Sequence, residues 1–328
     1  MKVTSNSLLQ IEGLTVTYPQ TDGTPVRALE GIHLSIAPGE IVGVLGESGC
    51  GKSTLANAVV GLLPRTAIID AGKISFKGIN LIGMSESELR PIRGHKVSLM
   101  PQEPALALNP VMTTGAQIVE VLRAHLSLGR EKRKERVFDL LERVGFENPR
   151  DIAAAYPHQL SGGQRQRIVL AQAIACDPEL LIADEPTSKL DATLRSEIAN
   201  LLSKLHRRHG MAILLISHDV SLVASLANQI VLMYAGRVVE SSPRVDLIAR
   251  PLHPYGRQLL ELARSSSGTA AAVAPILPVM HREHSQGKAN GCSFEPQCAE
   301  RMSVCAERAP SDIQPEPART VTCFKYGE

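Results

Sequence analysis

The glycine-rich stretch at residues 46–53 is the segment of this chain that is best suited to hold a phosphate. It reads Gly-Glu-Ser-Gly-Cys-Gly-Lys-Ser, follows an apolar run at 41–45 and leads into a helix-forming run at 55–60. Glycines let backbone N–H groups converge on an anion, and a helix start adds partial positive charge. The stretch predicts a nucleotide phosphate site, and the alternative is a turn that only joins a strand to a helix.

Every position of this loop, with the threonine behind it, is a predicted nucleotide contact. These contacts are Gly46, Glu47, Ser48, Gly49, Cys50, Gly51, Lys52, Ser53 and Thr54. Lys52 would reach the β- and γ-phosphates, and the Ser53 hydroxyl would bind Mg²⁺. The predicted ligands of this site are therefore a nucleotide and Mg²⁺.

Three more apolar runs end in polar side chains that suit phosphate chemistry. These side chains are Gln102, Asp184 with Glu185, and His218. Because the carboxyl ends of parallel strands lie at one edge of a sheet, we expect them to converge on one γ-phosphate. Asp184 would hold Mg²⁺ and Glu185 would polarise an attacking water. A simple turn after a strand is the alternative for that acidic pair.

A second glycine-containing helix start lies at residues 160–164, with the sequence Leu-Ser-Gly-Gly-Gln. Ser161 is a preferred N-cap residue, and the exposed N–H groups of a helix start attract anions. Taken alone, this segment predicts only a capped helix. Beside the first loop, it is a second potential phosphate-binding end.

The bulk composition limits the class of protein. The 328 residues, 44% hydrophobic and 21% charged, allow one large α/β domain with an appendage. A formal net charge of +2 without a long block of one sign gives no support for a dedicated nucleic-acid surface. We expect no secretory signal at the N-terminus, and no apolar run approaches the ~18 residues that span a bilayer.

The hydropathy pattern places these motifs on elements. Alternation of apolar and polar residues predicts antiparallel strands at 8–18 and 28–36, and helical spacing at 114–145 predicts an inserted helical block. The segment 103–110 contains two prolines and predicts an ordered loop without regular structure. Tyr18, ahead of the glycine-rich loop, would either stack on an adenine ring or pack in the core.

Together, these motifs resemble the nucleotide-binding subunit of ABC transporters over residues 8–250. The matching motifs, in the order of the family, are the Walker A loop at 46–53, the Q-loop residue Gln102, the signature at 160–164, the Walker B strand at 180–185, the D-loop at 188–191 and the switch residue His218. The resemblance implies an α/β P-loop NTPase fold with an antiparallel β subdomain and a helical subdomain at about 103–176. It also assigns Tyr18 to adenine stacking.

The family implies that two such subunits close head to tail around two ATP molecules. The signature helix would grip the ATP of the partner through Ser161, Gly162, Gly163 and Gln164. Gln102 would contact Mg²⁺ and report the γ-phosphate to a membrane partner, while Glu185 acts as base and His218 positions the water. Lys189 departs from the family, which usually has a small residue there; a cation at an interface must find an acceptor or stay in water.

Residues 251–328 resemble the C-terminal extension of the oligopeptide, dipeptide and nickel branch of the family. The resemblance rests on a His-Pro-Tyr segment at 253–255 and on four cysteines, Cys292, Cys298, Cys305 and Cys323. In an unsecreted chain we expect thiols or metal ligands rather than disulfides. Four thiolates suit a [4Fe–4S] cluster, with Zn²⁺ and four free thiols as the alternatives. A Ser/Gly/Ala-rich linker is predicted at 265–274.

These interpretations predict the ATPase subunit of an importer, peripheral on the cytoplasmic face of the cell (inner) membrane. The expected partners are two transmembrane permease subunits, a second ABC ATPase subunit, and indirectly an extracytoplasmic substrate-binding protein. The family favours a heterodimer for the ATPase pair, with a homodimer as the alternative. Peptides are the expected cargo, with nickel or glutathione as alternatives. A soluble ABC ATPase acting on nucleic acid is disfavoured because the chain has no second cassette, long coiled coil or basic arm. The predicted domains are 1–250 and 251–328.

Overall fold

The computed structural model describes residues 7–19, 25–266 and 291–327. Its strands are β1 Leu9–Tyr18, β2 Val26–Ile36, β3 Ile41–Gly46, β4 Ile68–Phe76, β5 Ile79–Asn80, β6 Val97–Met100, β7 Leu180–Asp184, β8 Ala212–Ser217, β9 Gln229–Tyr234, β10 Arg237–Pro243, β11 Ile313–Glu316 and β12 Arg319–Val321. Its helices are α1 Lys52–Val59, α2 Glu86–Leu89, α3 Pro104–Ala107, α4 Thr114–His125, α5 Arg130–Arg143, α6 Pro149–Ala154, α7 Gly162–Ala173, α8 Ala192–His209, α9 Val220–Leu226, α10 Arg244–Ala249, α11 Pro254–Ser266 and α12 Ser303–Glu307.

Strands β1, β2, β4 and β5 form an antiparallel sheet in the order β2-β1-β4-β5. Leu9 of β1 lies opposite Ile36 of β2 and Phe76 of β4. Because side chains of a strand alternate between the two faces, Leu9 and Ile11 reach the same buried side. The antiparallel strands predicted at 8–18 and 28–36 are confirmed.

The larger sheet has the order β11-β12-β10-β9-β3-β8-β7-β6 within the described residues. The strands β9, β3, β8, β7 and β6 pair in parallel. Every residue of β3, β7 and β8 is buried, as expected for parallel strands that are covered on both faces. Their carboxyl ends share one edge, where the glycine-rich loop, Gln102, the acidic pair and His218 follow. The predicted α/β fold is confirmed.

Helices α3 to α7 lie between β6 and β7 in the chain, which confirms the predicted helical block. The segment 103–110, predicted to lack regular structure, contains the short helix α3, so that prediction was wrong. Pro104 occupies the first turn of α3, where a helix does not need the missing N–H group. The turn closes through the Ala107 N–H, which donates to Glu103 O at 3.2 Å.

Residues 291–327, here called the cysteine module, contact the larger sheet through strand pairing and a buried ion pair. Strand β12 pairs with β10, and Arg319 of the module forms a fully buried ion pair with Glu240 of β10, with Nη2 3.1 Å from Oε1. Removing either partner would leave a buried charge uncompensated, which is strongly destabilising. The predicted linker at 265–274 lies outside the described residues beyond Ser266. No described helix has the length and apolar character needed to cross a bilayer.

Candidate functional site

The loop between β3 and α1 has a backbone that only glycine can provide at several positions. Gly49 and Gly51 have φ angles of +80° and +104°, in the left-handed region that other residues rarely adopt. A Cβ atom at Gly51 would lie 2.4 Å from Ala28 O, and one at Gly46 would lie 2.3 Å from Met233 O. Side chains at Gly46 or Gly51 would therefore push the loop away from the strands that hold it.

An open cavity above this loop collects residues from several strand ends. It is lined by Ala28, Ser48, Gly49, Gly51, Lys52, Ser53, Thr54, Gln102 and Glu185. The structure thus brings together the predicted phosphate loop, the Q-loop glutamine and the predicted base. This convergence follows from the parallel sheet, because each residue comes after the carboxyl end of a strand.

Lys52 is a buried cation at the floor of the cavity. Its Nζ donates to the carbonyl oxygens of Gly46 at 2.7 Å and Glu47 at 2.9 Å, and it lies 4.0 Å from Glu185 Oε1. A neutral carbonyl oxygen attracts the ammonium group less strongly than a phosphate oxygen does, because the phosphate carries a full negative charge. An incoming phosphate would compete successfully for this ammonium group.

Glu185 and His218 form a pair beside Lys52. The Nδ1 atom of His218 lies 2.7 Å from Glu185 Oε2, and this hydrogen bond raises the pKa of His218 against the opposing effect of burial. Glu185 has a φ of +50°, a strained conformation for a residue with a side chain. Its N–H donates to Ile216 O at 2.9 Å, which fixes that backbone against the end of β8. The strain thus accompanies a defined position of the carboxylate.

Asp184 and Ser53 provide oxygen atoms for a divalent cation. The Ser53 hydroxyl donates a hydrogen bond to the Asp184 carboxylate, while burial raises the pKa of Asp184. Within the described residues, the buried Oδ1 atom of Asp184 has no hydrogen-bond partner. A buried polar atom without a partner is costly, and a hard cation with oxygen ligands would satisfy it. This donor set fits Mg²⁺.

The start of α7 at the predicted signature is an N-terminal capping box. Ser161 Oγ accepts from Gln164 N at 3.2 Å, and Gln164 Oε1 accepts from Ser161 N at 2.9 Å. Ser161 and Gly162 are exposed, and a Cβ atom at Gly162 would meet no atom within 4 Å. At Gly163 it would meet Leu194 Cδ2 at 2.9 Å. None of these residues lines the cavity above the first loop.

Two predicted features have other surroundings. Tyr18 is half-buried and packs against the core of the antiparallel sheet, and it is not among the residues that line the cavity. The Lys189 ammonium lies 2.6 Å from Glu103 Oε1, so this unusual D-loop cation forms an ion pair. The hydroxyl of Ser188 donates to Gln102 O at 3.3 Å, which joins the D-loop to the Q-loop.

All six cysteines of the chain are free thiols. Four of them, Cys292, Cys298, Cys305 and Cys323, line one cavity of the cysteine module together with His253 and Phe294. Burial raises the pKa of Cys292 and of Cys323, so these thiols are neutral at pH 7. Among the described residues, no group of three or more His, Cys, Asp or Glu side chains is arranged to hold a metal ion. The predicted iron–sulfur site is thus four neighbouring thiols, a suitable donor set, and not a formed coordination sphere.

Sequence reasoning missed one residue that contacts the phosphate loop. The hydroxyl of Tyr255 accepts a hydrogen bond from the Glu47 N–H at 3.1 Å. The chain has only five Tyr and five Phe, and two of the others, Tyr234 and Phe294, have ring centroids 5.0 and 5.6 Å from that of Tyr255. The scarcity of aromatic residues was the available signal.

Comparison with known proteins assigns this chain to the family that its sequence motifs resemble. Residues 29–188 match the ABC transporter family, and residues 239–305 match the oligopeptide/dipeptide transporter C-terminal region. The chain is 37% identical to the probable peptide ABC transporter ATP-binding protein y4tR of Sinorhizobium fredii, over 98% of this chain and 96% of that protein. It is 38% identical to the dipeptide transport ATP-binding protein DppD of Escherichia coli, over 93% and 92%.

A solved structure supports the fold. The ATP-binding cassette MJ0796, in a dimeric post-hydrolysis state bound to ADP and Pi, superposes with a TM-score of 0.65 at 28% identity, over 72% of this chain and 98% of that one. The predicted P-loop NTPase fold of the ABC ATPase type is confirmed. With its phosphate loop, acidic strand end and C-terminal extension in place, this chain belongs to the ATP-binding proteins of ABC transporters, in the group that carries the oligopeptide/dipeptide transporter C-terminal region.

Proposed function

We propose that this chain is the ATP-hydrolysing subunit of an ABC importer that takes up di- and oligopeptides. The observation that carries the proposal is the Glu185–His218 pair beside the Lys52 ammonium, in a chain whose full-length relatives are named for peptide transport. Nickel and glutathione are the alternative cargoes, and none of the relatives described above is named for them. A nucleic-acid partner has no support from the net charge of +2.

The proposal assigns roles to the polar residues of the cavity and to the neighbouring His218. The loop at 46–54 binds the phosphates through its N–H groups and Lys52, as phosphate loops do. Glu185 accepts a proton from the attacking water, His218 orients that carboxylate and contacts the γ-phosphate, and Gln102 senses whether that phosphate is present. The bond between the γ-phosphorus and the bridging oxygen breaks, which leaves ADP and phosphate.

Ser53, Asp184 and Gln102 would hold Mg²⁺. The unpartnered Oδ1 of Asp184 and the neighbouring Ser53 hydroxyl support this assignment. When bound, the cation neutralises charge on the β- and γ-phosphate oxygens. Tyr18 would stack on adenine, although its half-buried ring would have to present one face to the nucleotide.

The site is completed by a second cassette in this proposal. Ser161, Gly162, Gly163 and Gln164 would contact the ATP held by the other subunit, and the exposed helix start with open space at Gly162 supports that arrangement. The second cassette would be a different chain. Two permeases would anchor the pair at the cytoplasmic face of the inner membrane, and an extracytoplasmic binding protein would deliver the peptide.

We assign residues 1–250 to ATP binding and 251–328 to a C-terminal extension. The four cysteines of the extension would hold a [4Fe–4S] cluster, or Zn²⁺, that orders a segment with little core of its own. The purified protein should be brown with absorption in the visible blue, and Cys298→Ser should lose it. A colourless protein with stoichiometric zinc would exclude the cluster.

The transport proposal is tested by reconstitution. The chain is co-expressed with two candidate permease subunits and a candidate second ATPase subunit, and the complex is placed in proteoliposomes with a candidate peptide-binding protein. We expect peptide-loaded binding protein to stimulate ATP hydrolysis and to drive peptide accumulation, both abolished by Glu185→Gln. Stimulation by nickel or glutathione instead would identify the other cargoes. A chain that purifies without integral membrane proteins and responds to nucleic acid would refute the importer.

A further inference from the structure

The phosphate loop and the cysteine module meet at one side chain, Tyr255. Its ring is 2% exposed, and its hydroxyl accepts the hydrogen bond of the Glu47 N–H at 3.1 Å. Glu47 is the second residue of the phosphate loop, and its carbonyl oxygen also accepts from Lys52 Nζ at 2.9 Å. Tyr255 therefore holds the N–H group of Glu47, the residue whose carbonyl oxygen positions the ammonium group of Lys52.

The other side of the Tyr255 ring faces the module. Phe294, between the first two cysteines of the motif, is 2% exposed and packs edge-on against Tyr255 with ring centroids 5.6 Å apart. Phe294 also packs edge-on against Tyr234 at 5.2 Å and His253 at 5.6 Å. The same Phe294 lines the cavity of the four thiols. One continuous path of buried rings joins that cavity to the phosphate loop.

The backbone that carries Tyr255 is itself held in place. The buried carboxylate of Glu240 accepts hydrogen bonds from the N–H groups of Leu252 and His253, at 2.9 and 2.8 Å to Oε2. His253 Nδ1 in turn accepts from the Tyr255 N–H at 3.1 Å. The pKa of the buried His253 is lowered to about 4 by desolvation, so its ring is neutral at pH 7 and can accept this bond. Tyr255 is thus fixed at its backbone, ring and hydroxyl.

We propose that Tyr255 is a positioning residue for the phosphate loop, and that it makes nucleotide affinity depend on the packing of the cysteine module through Phe294. The inference rests on the proposed nucleotide binding at the loop. Displacement of Phe294 moves the Tyr255 ring, because a close-packed interior transmits shifts between neighbours. The hydroxyl then releases Glu47, and the loop loses its fixed shape before the nucleotide arrives. A loop that must be ordered on binding gives weaker affinity.

The experiment compares two Tyr→Phe variants of the full-length chain. Tyr255→Phe keeps the ring and removes the bond to Glu47. Tyr326→Phe is the matched control, because Tyr326 donates its hydroxyl bond to Leu252 O at 3.0 Å in the same region, without touching the loop. The readouts are backbone hydrogen exchange at Glu47 in nucleotide-free protein and the calorimetric Kd for MgADP, which is not hydrolysed.

We expect Tyr255→Phe to lose protection at Glu47 and to raise the Kd for MgADP by about three- to tenfold, the equivalent of one neutral hydrogen bond. Tyr326→Phe should leave both unchanged. Equal shifts in the two variants, or unchanged exchange and affinity in Tyr255→Phe, would overturn the positioning role. If the wild-type chain bound no MgADP or MgATP, the proposed function would fail instead, and the exchange data would still report on the Tyr255–Glu47 bond.

The link to the module is tested with Phe294→Leu, which keeps the Tyr255 hydroxyl and removes the edge-on ring contacts. We expect weaker MgADP binding and faster exchange at Glu47, and no further loss when Tyr255→Phe is added, because both changes act through one hydrogen bond. Affinity losses that simply multiply in the double variant would refute the coupling. So would Phe294→Leu with a lowered thermal midpoint but unchanged Glu47 exchange and affinity.

Discussion

The starts of helices α1 and α7 both contain glycine, but the first lines a cavity and the second is exposed to solvent. At α1, Gly51 and Lys52 face a cavity that also contains Gln102 and Glu185. At α7, Ser161 and Gly162 are exposed, and a side chain added at Gly162 would meet no atom within 4 Å. Both ends present backbone N–H groups and a favourable dipole to an anion, but only the residues of the first line the cavity that contains Glu185.

This difference supports the proposal that one chain contributes half of each of two sites. In the proposed mechanism, the α1 side contains the groups that bind and cleave ATP, whereas the start of α7, which does not line that cavity, would stabilise the phosphates of another subunit's ATP. Two cassettes arranged head to tail would give each cavity the helix start of its neighbour. The predictions below alter one side of this comparison at a time, from the largest expected effect to the smallest.

Glu185→Gln alters the α1 side without changing its shape. The amide cannot accept the proton of the attacking water, so we expect hydrolysis to fall by about 10²- to 10⁴-fold, while MgATP still binds and a closed dimer accumulates. Phosphate release and size-exclusion chromatography with MgATP measure both effects. Glu142→Gln, at an exposed carboxylate on α5, is the control and should remain active. Normal turnover in Glu185→Gln would refute the assignment of Glu185 as the general base on the α1 side.

Gly162→Glu alters the α7 side. The added carboxylate would have room within the subunit but would meet the phosphates of a neighbouring ATP, so we expect at least about tenfold slower hydrolysis by like-charge repulsion. MgADP binding to the single subunit should not change. Gly129→Glu, at the start of α5, is the matched control because a Cβ atom there also meets nothing within 4 Å. Equal losses of hydrolysis in both variants would contradict a specific role of α7.

The His218–Glu185 pair predicts a pH-dependent stability of the α1 side. The folded pKa of His218 is raised from 6.5 by its hydrogen bond to Glu185. The stabilisation is therefore fully present below pH 6.5, the ordinary value, and is lost as the pH rises through the raised folded pKa. Thermal midpoints of wild type and His218→Gln, measured from pH about 5 to about 8, should differ most at the acidic end. A difference that grows with pH would contradict the assigned pair.

Lys189→Ala has the smallest expected effect. The Lys189 side chain is 73% exposed and its pair with Glu103 is open to water, so it contributes at most about 1 kcal/mol to the free energy of unfolding. We expect hydrolysis within about twofold of wild type, since exposed pairs couple weakly to their surroundings. Denaturant unfolding and phosphate release measure the two, with Glu103→Gln as the matched partner change. A large loss of hydrolysis in Lys189→Ala alone would contradict this expectation and would indicate that Lys189 acts at the proposed interface between two cassettes.

The candidate site residues could be predicted because local sequence rules determine them. Gly51 needs a positive φ, Ser161 is a favoured cap, and Gln102, Asp184 and His218 each lie at or just after the end of an apolar strand. The helix α3 was missed because two prolines in eight residues suggested a break, whereas Pro104 stands at the one helical position that tolerates it.

Long-range contacts were beyond sequence reasoning. Tyr255 lies 208 residues from Glu47 in the chain, and Arg319 lies 79 residues from Glu240. Neither pair has a periodicity or spacing that marks it, since a hydrogen bond between distant residues depends on where the whole sheet places them. Lys189 was recognised as unusual, but its acceptor on Glu103 was visible only once the D-loop and the Q-loop lay side by side.

The sequence by itself determined the phosphate loop, the acidic strand end and the capped signature helix, because glycine conformations, apolar runs and N-caps are local properties of the backbone. The tertiary structure alone decided that the first loop lines a cavity with Gln102 and Glu185 while Ser161 and Gly162 at the start of α7 are exposed, and that Tyr255 joins that loop to the cysteine module. The physical reason is that close packing selects which distant groups touch, and no local preference encodes that choice.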